Sequence, residues 1–254
     1  MNRLEAIREI RLSLASGQAS VGSWMQLPDA SVAEIMGRAG YDWVAIDMEH
    51  GAISHHQLPN LFRALELGGT LPLVRLAAGT AKECKQALDA GAGGVIVPMI
   101  HTATQLIQVR DDCRWPPAGT RGVGFSRGNH FGETFDQYAL EAQEPLLIAM
   151  IENVKTLDEL DLILQVGGLD AVFIGPYDLS ASMGLTGQFE AKEFSKALKT
   201  IRERCAAHKV SCGLHVVMPD VSILRQRLSE GYLFIAYSID AVFMSSSCKN
   251  PQQA

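Results

Sequence analysis

Short apolar segments alternate with amphipathic segments along almost the whole chain. Eight of the apolar segments are rich in aliphatic and β-branched residues and end at polar or glycine residues, which indicates buried strands. The predicted strands are Val21–Met25, Trp43–Asp47, Leu71–Leu76, Gly94–Pro98, Leu146–Ile151, Ala171–Gly175, Cys212–Val216 and Leu233–Tyr237. Their continuous hydrophobicity is typical of parallel strands that are covered on both faces.

The segments between these strands repeat apolar residues at the helical period. The predicted helices are Ser31–Ala39, His56–Leu67, Lys82–Ala90, Thr104–Cys113, Leu157–Val166, Glu190–Ala207 and Val221–Ser229. Glycines follow several of them, at positions where a left-handed helix cap favours glycine. Eight strands that alternate with helices over 254 residues predict a (β/α)8 TIM barrel, with residues 1–254 forming a single domain.

A doubly wound open sheet is the competing architecture. Such sheets often bind a dinucleotide at a G-x-G-x-x-G turn after the first strand, and no such turn follows Val21–Met25. Gly122-Val123-Gly124 lies instead in a long connection between Arg114 and Glu144 that is rich in glycine. Because long connections in compact domains are usually functional, we expect a functional role for this one.

The composition excludes several classes of protein. The net charge is −6 and the lysines and arginines are scattered, which argues against a nucleic-acid partner. No apolar run approaches the roughly 20 residues of a membrane span, and the N-terminal residues lack the apolar core of a signal peptide. The five cysteines are odd in number and lack C-x-x-C spacing, which is unlike a disulfide framework or a structural zinc site. We therefore expect a soluble cytoplasmic protein.

Three ionisable residues arrive within four positions at the end of the second predicted strand: Asp47, Glu49 and His50. Burying a carboxylate without a partner is costly or shifts its pKa, so a strand that ends in this way needs a compensating interaction. In a barrel of parallel strands, the carboxyl ends of the strands hold the active site. The cluster is therefore a candidate for metal binding, for proton transfer or for pairing with neighbouring charges.

Two further carboxylates stand at the ends of adjacent predicted strands, Glu152 after the fifth and Asp178 after the sixth. Carboxylate oxygens with the remaining positions open to water and ligand suit Mg²⁺ or Mn²⁺. The structural alternatives are that Glu152 pairs with Lys155 and that Asp178 caps a helix beginning near Leu179. Their joint placement favours the metal site.

Arg75 and His215 also fall at strand ends. The guanidinium of Arg75 offers a planar fork of donors for a carboxylate or an enolate oxygen; the alternative is a salt bridge to a barrel carboxylate. His215 faces the mouth of the barrel if strand alternation holds, where it would contact a bound substrate. A histidine of the core is an equal alternative.

Six segments of the chain, taken together and in this order, resemble the HpcH/HpaI aldolase family. They are Ile46-Asp47-Met48-Glu49-His50-Gly51, Val74-Arg75, Gly91-Ala92-Gly93-Gly94-Val95-Ile96-Val97-Pro98, Pro117-x-Gly119-Thr120-Arg121-Gly122, Ile151-Glu152 and Phe173-Ile174-Gly175-Pro176-x-Asp178-Leu179. The resemblance covers about residues 20 to 245. It implies a (β/α)8 barrel and a metal-dependent class II aldolase that cleaves or forms 4-hydroxy-2-oxo acids with pyruvate as the enolate partner.

The resemblance also implies roles for individual residues. Glu152 and Asp178 match the metal-binding carboxylates, His50 the catalytic base, Asp47 the carboxylate that orients this histidine, and Arg75 the residue that stabilises the enolate. The segment from Gly175 through Pro176 to Tyr177 lies where main-chain N–H groups meet the pyruvate carboxylate.

The family also implies an assembly and a cofactor. Its members form trimers or hexamers in which the last helix packs on a neighbouring barrel. Mg²⁺ or Mn²⁺ is the expected metal, with Co²⁺ or Zn²⁺ as alternatives. One position departs from the family pattern, because Met150 stands where a glutamine is usual, and a thioether cannot donate a hydrogen bond. This change affects the orientation of the substrate more than the metal.

Other activities remain open at this point. An oxaloacetate decarboxylase or an acyl-CoA lyase would use the same enolate, and a catalytically weak protein that binds a 2-oxo acid would tolerate Met150. A Schiff-base aldolase is disfavoured because no lysine ends a predicted strand.

Overall fold

Eight parallel strands close into a barrel in which each strand pairs with the next along the chain and the last pairs with the first. The computed structural model describes residues 1–248 together with Asn250 and Gln252. The strands are β1 (Ser20–Met25), β2 (Trp43–Asp47), β3 (Leu71–Arg75), β4 (Gly94–Val97), β5 (Leu146–Ile151), β6 (Ala171–Ile174), β7 (Ser211–Val216) and β8 (Phe234–Ile239). The predicted (β/α)8 TIM barrel is confirmed, and all strand limits except the end of β8 lie within one residue of the predicted ones.

Helices cover the outside of the barrel. They are α1 (Arg3–Ala15), α2 (Ala30–Gly37), α3 (Leu58–Gly68), α4 (Ala81–Asp89), α5 (Ala103–Cys113), α6 (Phe135–Glu141), α7 (Thr156–Leu164), α8 (Pro176–Ser182), α9 (Lys192–His208), α10 (Val221–Ser229) and α11 (Asp240–Ser247). The hydrophobic pattern does not predict α1, α6 or α11, and it indicates α8 only as a possible helix beginning near Leu179. Helices α6, α8 and α11 have eight residues or fewer, which is too short to show a clear helical period.

Apolar side chains form one layer inside the barrel and another between the strands and the helices. The inner layer is aromatic, with Trp43 stacked on Phe234 at 4.4 Å between ring centroids and Trp24 packed edge-on against Phe173. Helix α1 closes the barrel at the amino ends of the strands, because its buried Ile7 joins this inner layer. The open end is therefore the end at which the strands finish.

The long connection between α5 and β5 packs at the closed end of the barrel. Arg3 of α1 donates to Glu141 at 2.8 Å, and Arg127 of the connection pairs with Glu66 of α3. Arg121 donates to Asp89 at 2.8 Å. Within the chain, this connection therefore holds α1 in place, and the functional role expected for it stays a prediction.

Across residues 1–248, no helix combines the length and the apolar composition that are needed to cross a lipid bilayer.

Candidate active site

A cavity of about 400 Å³ opens at the carboxyl ends of the strands. The predicted residues that line it on the side of β5 and β6 are Glu152, Gly175, Pro176, Tyr177 and Asp178. Those that line it on the other sides are His50, Arg75 and His215. The ninth predicted residue, Asp47, is completely buried behind Arg75. The barrel thus brings together residues that are far apart in the sequence.

Asp47 and Arg75 form a bidentate ion pair across β2 and β3. The Nε of Arg75 donates to Oδ1 of Asp47 at 2.9 Å, and its Nη2 donates to Oδ2 at 2.6 Å. The amide of Gln26 also donates to Oδ2, at 2.8 Å. Burial alone would raise the pKa of Asp47, but the guanidinium and these hydrogen bonds lower it below its usual range. Asp47 is therefore ionised and fixes the orientation of Arg75.

The contact expected between Asp47 and the ring of His50 is not formed in the described part of the chain. Asp47 Oδ1 accepts hydrogen bonds from the backbone N–H groups of Glu49 and His50, each at 3.1 Å. The imidazole points away from this carboxylate: it is 59% exposed, and its Nε2 lies 4.0 Å from Oε2 of Glu49. The carboxylate is already saturated by Arg75 and Gln26, so it orients the guanidinium and the loop rather than the imidazole.

Glu152 is the most strongly perturbed acid of the cavity. Its side chain is buried, which raises the pKa to about 7, and the negative charges of Glu49 and Asp178 act in the same direction. A single backbone hydrogen bond from Met99 to Oε2, at 2.7 Å, opposes this rise. A carboxylate that is costly to ionise in an empty cavity gains the most from a bound cation.

Glu49 is a second acid of this site whose ionised form is disfavoured by burial. Burial raises its pKa, and its Oε2 is buried without a hydrogen-bond partner in the described part of the chain. The nearest cation is Arg75, whose Nη1 lies 3.4 Å from Oε2. Glu49 therefore adds negative charge to the region of Glu152 and Asp178.

These acids fit a divalent cation in an open site. Among the described residues, no three histidine, cysteine or acidic side chains form a closed metal cage. Mg²⁺ is usually held by one or two carboxylates, with water and substrate completing its shell. Glu152 and Asp178 supply this pair, since neither forms an ion pair with a lysine or arginine within residues 1–248. The raised pKa of Glu152 indicates that positive charge is missing at this position.

Gly175 makes room for the carboxylate of Glu152. A Cβ atom at position 175 would lie 2.7 Å from Oε1 of Glu152 and 2.8 Å from its Cγ. The N–H of Gly175 already donates to the carbonyl of Ile151, at 3.3 Å, and Pro176 has no N–H. Among the three residues expected to bind a substrate carboxylate through the main chain, Tyr177 alone has a backbone N–H without a partner in the described part of the chain, because it lies in the first turn of α8.

The floor of the cavity is apolar. Met150, which replaces the usual glutamine, is buried beside Trp24 and Phe173. The guanidinium of Arg75 lies 4.7 Å from the centroid of the Trp24 ring, a cation–π contact that fixes it from one face. Arg75 is thus held by Asp47 at its edge and by Trp24 on its face.

Three further residues contribute to the site without a predicted role. Gln26 contacts Asp47 through its side chain, while Met99 and Ser238 contribute through backbone groups held at positive φ, 53° and 58°. Gln26 and Ser238 both directly follow a predicted strand, which places them at the mouth of the barrel but does not indicate what they contact. Nothing in a sequence marks a methionine or a serine for a left-handed conformation.

Residues 20–247 match the sequence pattern of the HpcH/HpaI aldolase/citrate lyase family. The chain belongs to this family. It is 35% identical to the hydroxypyruvate/pyruvate aldolase of Roseobacter denitrificans over 248 residues, which cover 96% of this chain and 95% of that protein. It is also 35% identical to the 2-keto-3-deoxy-L-rhamnonate aldolase of Escherichia coli K12 over 237 residues, 92% of this chain and 88% of that protein.

Solved structures of the HpcH/HpaI family agree with the fold. An HpcH/HpaI aldolase/citrate lyase family protein from Burkholderia cenocepacia J2315 superposes with a TM-score of 0.90 at 30% identity, covering 96% of this chain and 98% of that one. The relatives are aldolases of the pyruvate type, which confirms the predicted class of enzyme, a carbon–carbon lyase. The HpcH/HpaI family depends on divalent metal ions.

Proposed function

We propose that this HpcH/HpaI enzyme reversibly cleaves a 4-hydroxy-2-oxo acid into pyruvate and an aldehyde. The observation that carries the proposal is the arrangement of charge around one cavity. Two acids, Glu152 directly after β5 and Asp178 in α8, face a guanidinium that Asp47 and Trp24 hold in place. Such a cavity stabilises negative charge that develops on a 2-oxo acid.

Glu152 and Asp178 would hold the divalent ion, with Mg²⁺ or Mn²⁺ favoured and Co²⁺ or Zn²⁺ as alternatives. The bound ion supplies Lewis-acid chemistry that polarises the 2-oxo group. The raised pKa of Glu152 and the open donor set support this assignment.

Arg75 stabilises the enolate oxygen. Its Nε and Nη2 are engaged with Asp47, so Nη1, which has no hydrogen-bond partner among the described residues, is the donor available to substrate. A donor fixed before the reaction stabilises developing charge without reorganising. The Tyr177 N–H would bind the substrate carboxylate beside Gly175 and Pro176.

His50 is the proposed base. In the cleavage direction it takes the proton of the 4-hydroxyl, the C3–C4 bond breaks, and the electron pair passes to the 2-oxo oxygen as an enolate. Protonation of C3 then releases pyruvate. The exposure of the imidazole at the cavity mouth allows it to exchange protons with solvent.

Exchange of the pyruvate C3 protons in D2O, followed by NMR without an aldehyde, tests this proposal. We expect exchange with Mg²⁺ or Mn²⁺, its loss after chelation, and a decrease of about 10²-fold in Arg75→Ala. Exchange that survives removal of the metal, or full activity of Arg75→Ala, would contradict the mechanism.

The same experiment separates the alternatives. Exchange without turnover of any aldehyde would favour an oxaloacetate decarboxylase or an acyl-CoA lyase, which use the same enolate. Pyruvate binding without exchange would favour a protein that binds a 2-oxo acid. A panel of aldehydes, run with pyruvate and with hydroxypyruvate and with each metal, identifies the substrate.

We further propose that the enzyme is a cytoplasmic trimer or hexamer in which the C-terminal helix packs on a neighbouring barrel. The C-terminal helix, α11, buries only Asp240 among the residues that the structure describes, and its Met244 is half exposed. Apolar surface of this kind marks an interface. Sedimentation velocity tests the assembly, and a monomer at micromolar concentration would contradict it.

A further inference from the structure

His215 projects into the active-site cavity from β7 and has one ring nitrogen engaged. Its neighbours Leu214 and Val216 pack outward against the helices, so His215 points inward. Its Nε2 lies 3.2 Å from the carbonyl oxygen of Ser238. Because a carbonyl only accepts hydrogen bonds, Nε2 carries the proton, and Nδ1 is left as an acceptor.

The Ser238 carbonyl is held in this position by an irregular strand. Between the pairs Gly22–Ala236 and Trp24–Ile239, β8 contains one residue more than β1, which is a β-bulge. Ser238 lies in the bulge at φ 58°, and its hydroxyl donates to the carbonyl of Val217 at 2.9 Å. Bulges beside active sites redirect groups in this way. A non-glycine residue such as Ser238 keeps a left-handed backbone conformation only when the surrounding structure holds it in place.

The imidazole stays neutral at physiological pH. Burial lowers the pKa of His215 to about 4, and the positive charge of Arg75 acts in the same direction, against the Ser238 hydrogen bond and Asp47. A base this weak is a poor proton acceptor near neutral pH. His215 is therefore suited to recognition rather than to proton transfer.

The surroundings of His215 are apolar. The ring packs edge-on against Trp24, with 6.1 Å between ring centroids, and Val217 and Ile239 line the adjoining wall. In the described part of the chain, Nδ1 has no donor. An acceptor in such surroundings binds a neutral donor, and leaving it unsatisfied in a complex is costly.

We propose that Nδ1 of His215 accepts a hydrogen bond from a hydroxyl on the carbon next to the aldehyde carbonyl, so that the enzyme selects hydroxyaldehydes. This inference rests on the proposed aldolase function. Glu152, Asp178 and Arg75 engage the 2-oxo acid, which carries no hydroxyl of its own when it is pyruvate. The residue on β7 is therefore left for the aldehyde.

The test compares glycolaldehyde with acetaldehyde, which differ only by this hydroxyl, as partners of pyruvate. The quantity measured is the ratio of their kcat/KM values, which removes the effect of overall activity. We expect His215→Phe, which keeps a ring against Trp24 but no acceptor, to lower the ratio by roughly ten- to a hundredfold. His215→Gln, which retains a donor and an acceptor, should keep most of the wild-type ratio.

An unchanged ratio in His215→Phe would overturn the inference, and so would equal loss in the Phe and Gln variants. Thermal melting establishes that each variant is folded, and His215→Leu replaces His215→Phe if the larger ring is not accommodated. Exchange of pyruvate C3 protons by the wild-type enzyme is measured separately. If this exchange fails, the proposed function is wrong; if it occurs while the ratio stays constant, only the role of His215 is wrong.

Discussion

At the scale of single residues, Glu152 shows how an active site opposes stability. Its folded-state pKa of about 7 lies above the ordinary value for a glutamate. The free energy of unfolding is therefore highest at acidic pH, and this contribution is lost as the pH rises through 7. The loss amounts to at most roughly 3 kcal/mol in metal-free protein. A bound cation would offset it.

We therefore predict that Glu152→Gln stabilises the chelated protein at pH 8, because an amide does not have to be ionised in this buried position. The difference in free energy of unfolding from wild type should shrink as the pH is lowered to 5. Urea denaturation at the two pH values measures it, and Mn²⁺ titration followed by EPR should show weaker binding. A variant less stable than wild type at pH 8 would contradict the assigned cause.

Gly175 permits a second test at this scale. In Gly175→Ala the new methyl group meets the Glu152 carboxylate at 2.7 Å, so the carboxylate has to move. We predict that affinity for Mn²⁺ falls by about tenfold or more, in line with changes next to metal ligands. Gly167→Ala is the matched control, because no atom lies within 4 Å of its added Cβ. Equal Mn²⁺ affinity in the two variants would remove Gly175 from the site.

At the scale of elements, the pair of Asp47 and Arg75 joins β2 to β3 at the edge of the cavity. Asp47 is fully buried and the Arg75 side chain is 13% exposed, so removing either partner leaves a charge without compensation. Such a loss costs about 3–5 kcal/mol, whereas removing both charges together costs much less than the sum.

A double-mutant cycle of Asp47→Asn and Arg75→Met tests this coupling. We predict a coupling free energy of about 2 kcal/mol or more, measured by urea unfolding. Arg38 and Glu34 form an exposed ion pair on the surface, and the same cycle there should give less than about 1 kcal/mol. Additive effects at Asp47 and Arg75 would mean that the ion pair does not stabilise the fold.

The sequence predicts elements better than it predicts the contacts between them. Each strand is recognisable because it is buried on both faces, and the site residues follow because parallel strands end at the same side of a barrel. The resemblance implies that Asp47 orients His50, whereas the register of β2 and β3 places Arg75 opposite Asp47, which is the alternative of a salt bridge to a barrel carboxylate. The positive φ of Ser238 arises from tertiary contacts, which leave no local pattern.

Helix α1 is an element, rather than a contact, that is not predicted from the sequence. The spacing of Leu4, Ile7, Ile10 and Leu14 is helical, but five of the 13 residues of α1 are charged. The three arginines among them pair with residues far along the chain, which only the fold shows.

At the scale of the whole molecule, a second group of buried ion pairs lies at the end of the barrel opposite the cavity. Arg3 is buried at the closed end between Glu66 and Glu141, far from the carboxyl ends of the strands. We predict that Arg3→Met lowers the free energy of unfolding by about 3 kcal/mol, because it leaves Glu141 buried without its cation. The kcat at a temperature where the variant is folded should stay within about twofold of wild type. A large decrease in kcat would show that the two ends are coupled.

The pairing of α1 also determines an order of events during synthesis. Arg3, Arg8 and Arg11 bind Glu141, Glu144 and Asp170, which follow them by 138, 136 and 159 positions. At about 5–20 residues per second, the ribosome needs roughly 7 to 32 seconds to produce these partners. Until then the apolar face of α1 cannot pack against a complete barrel, and it is accessible to chaperones. Helix α1, which closes the barrel, is therefore synthesised before the strands that it closes.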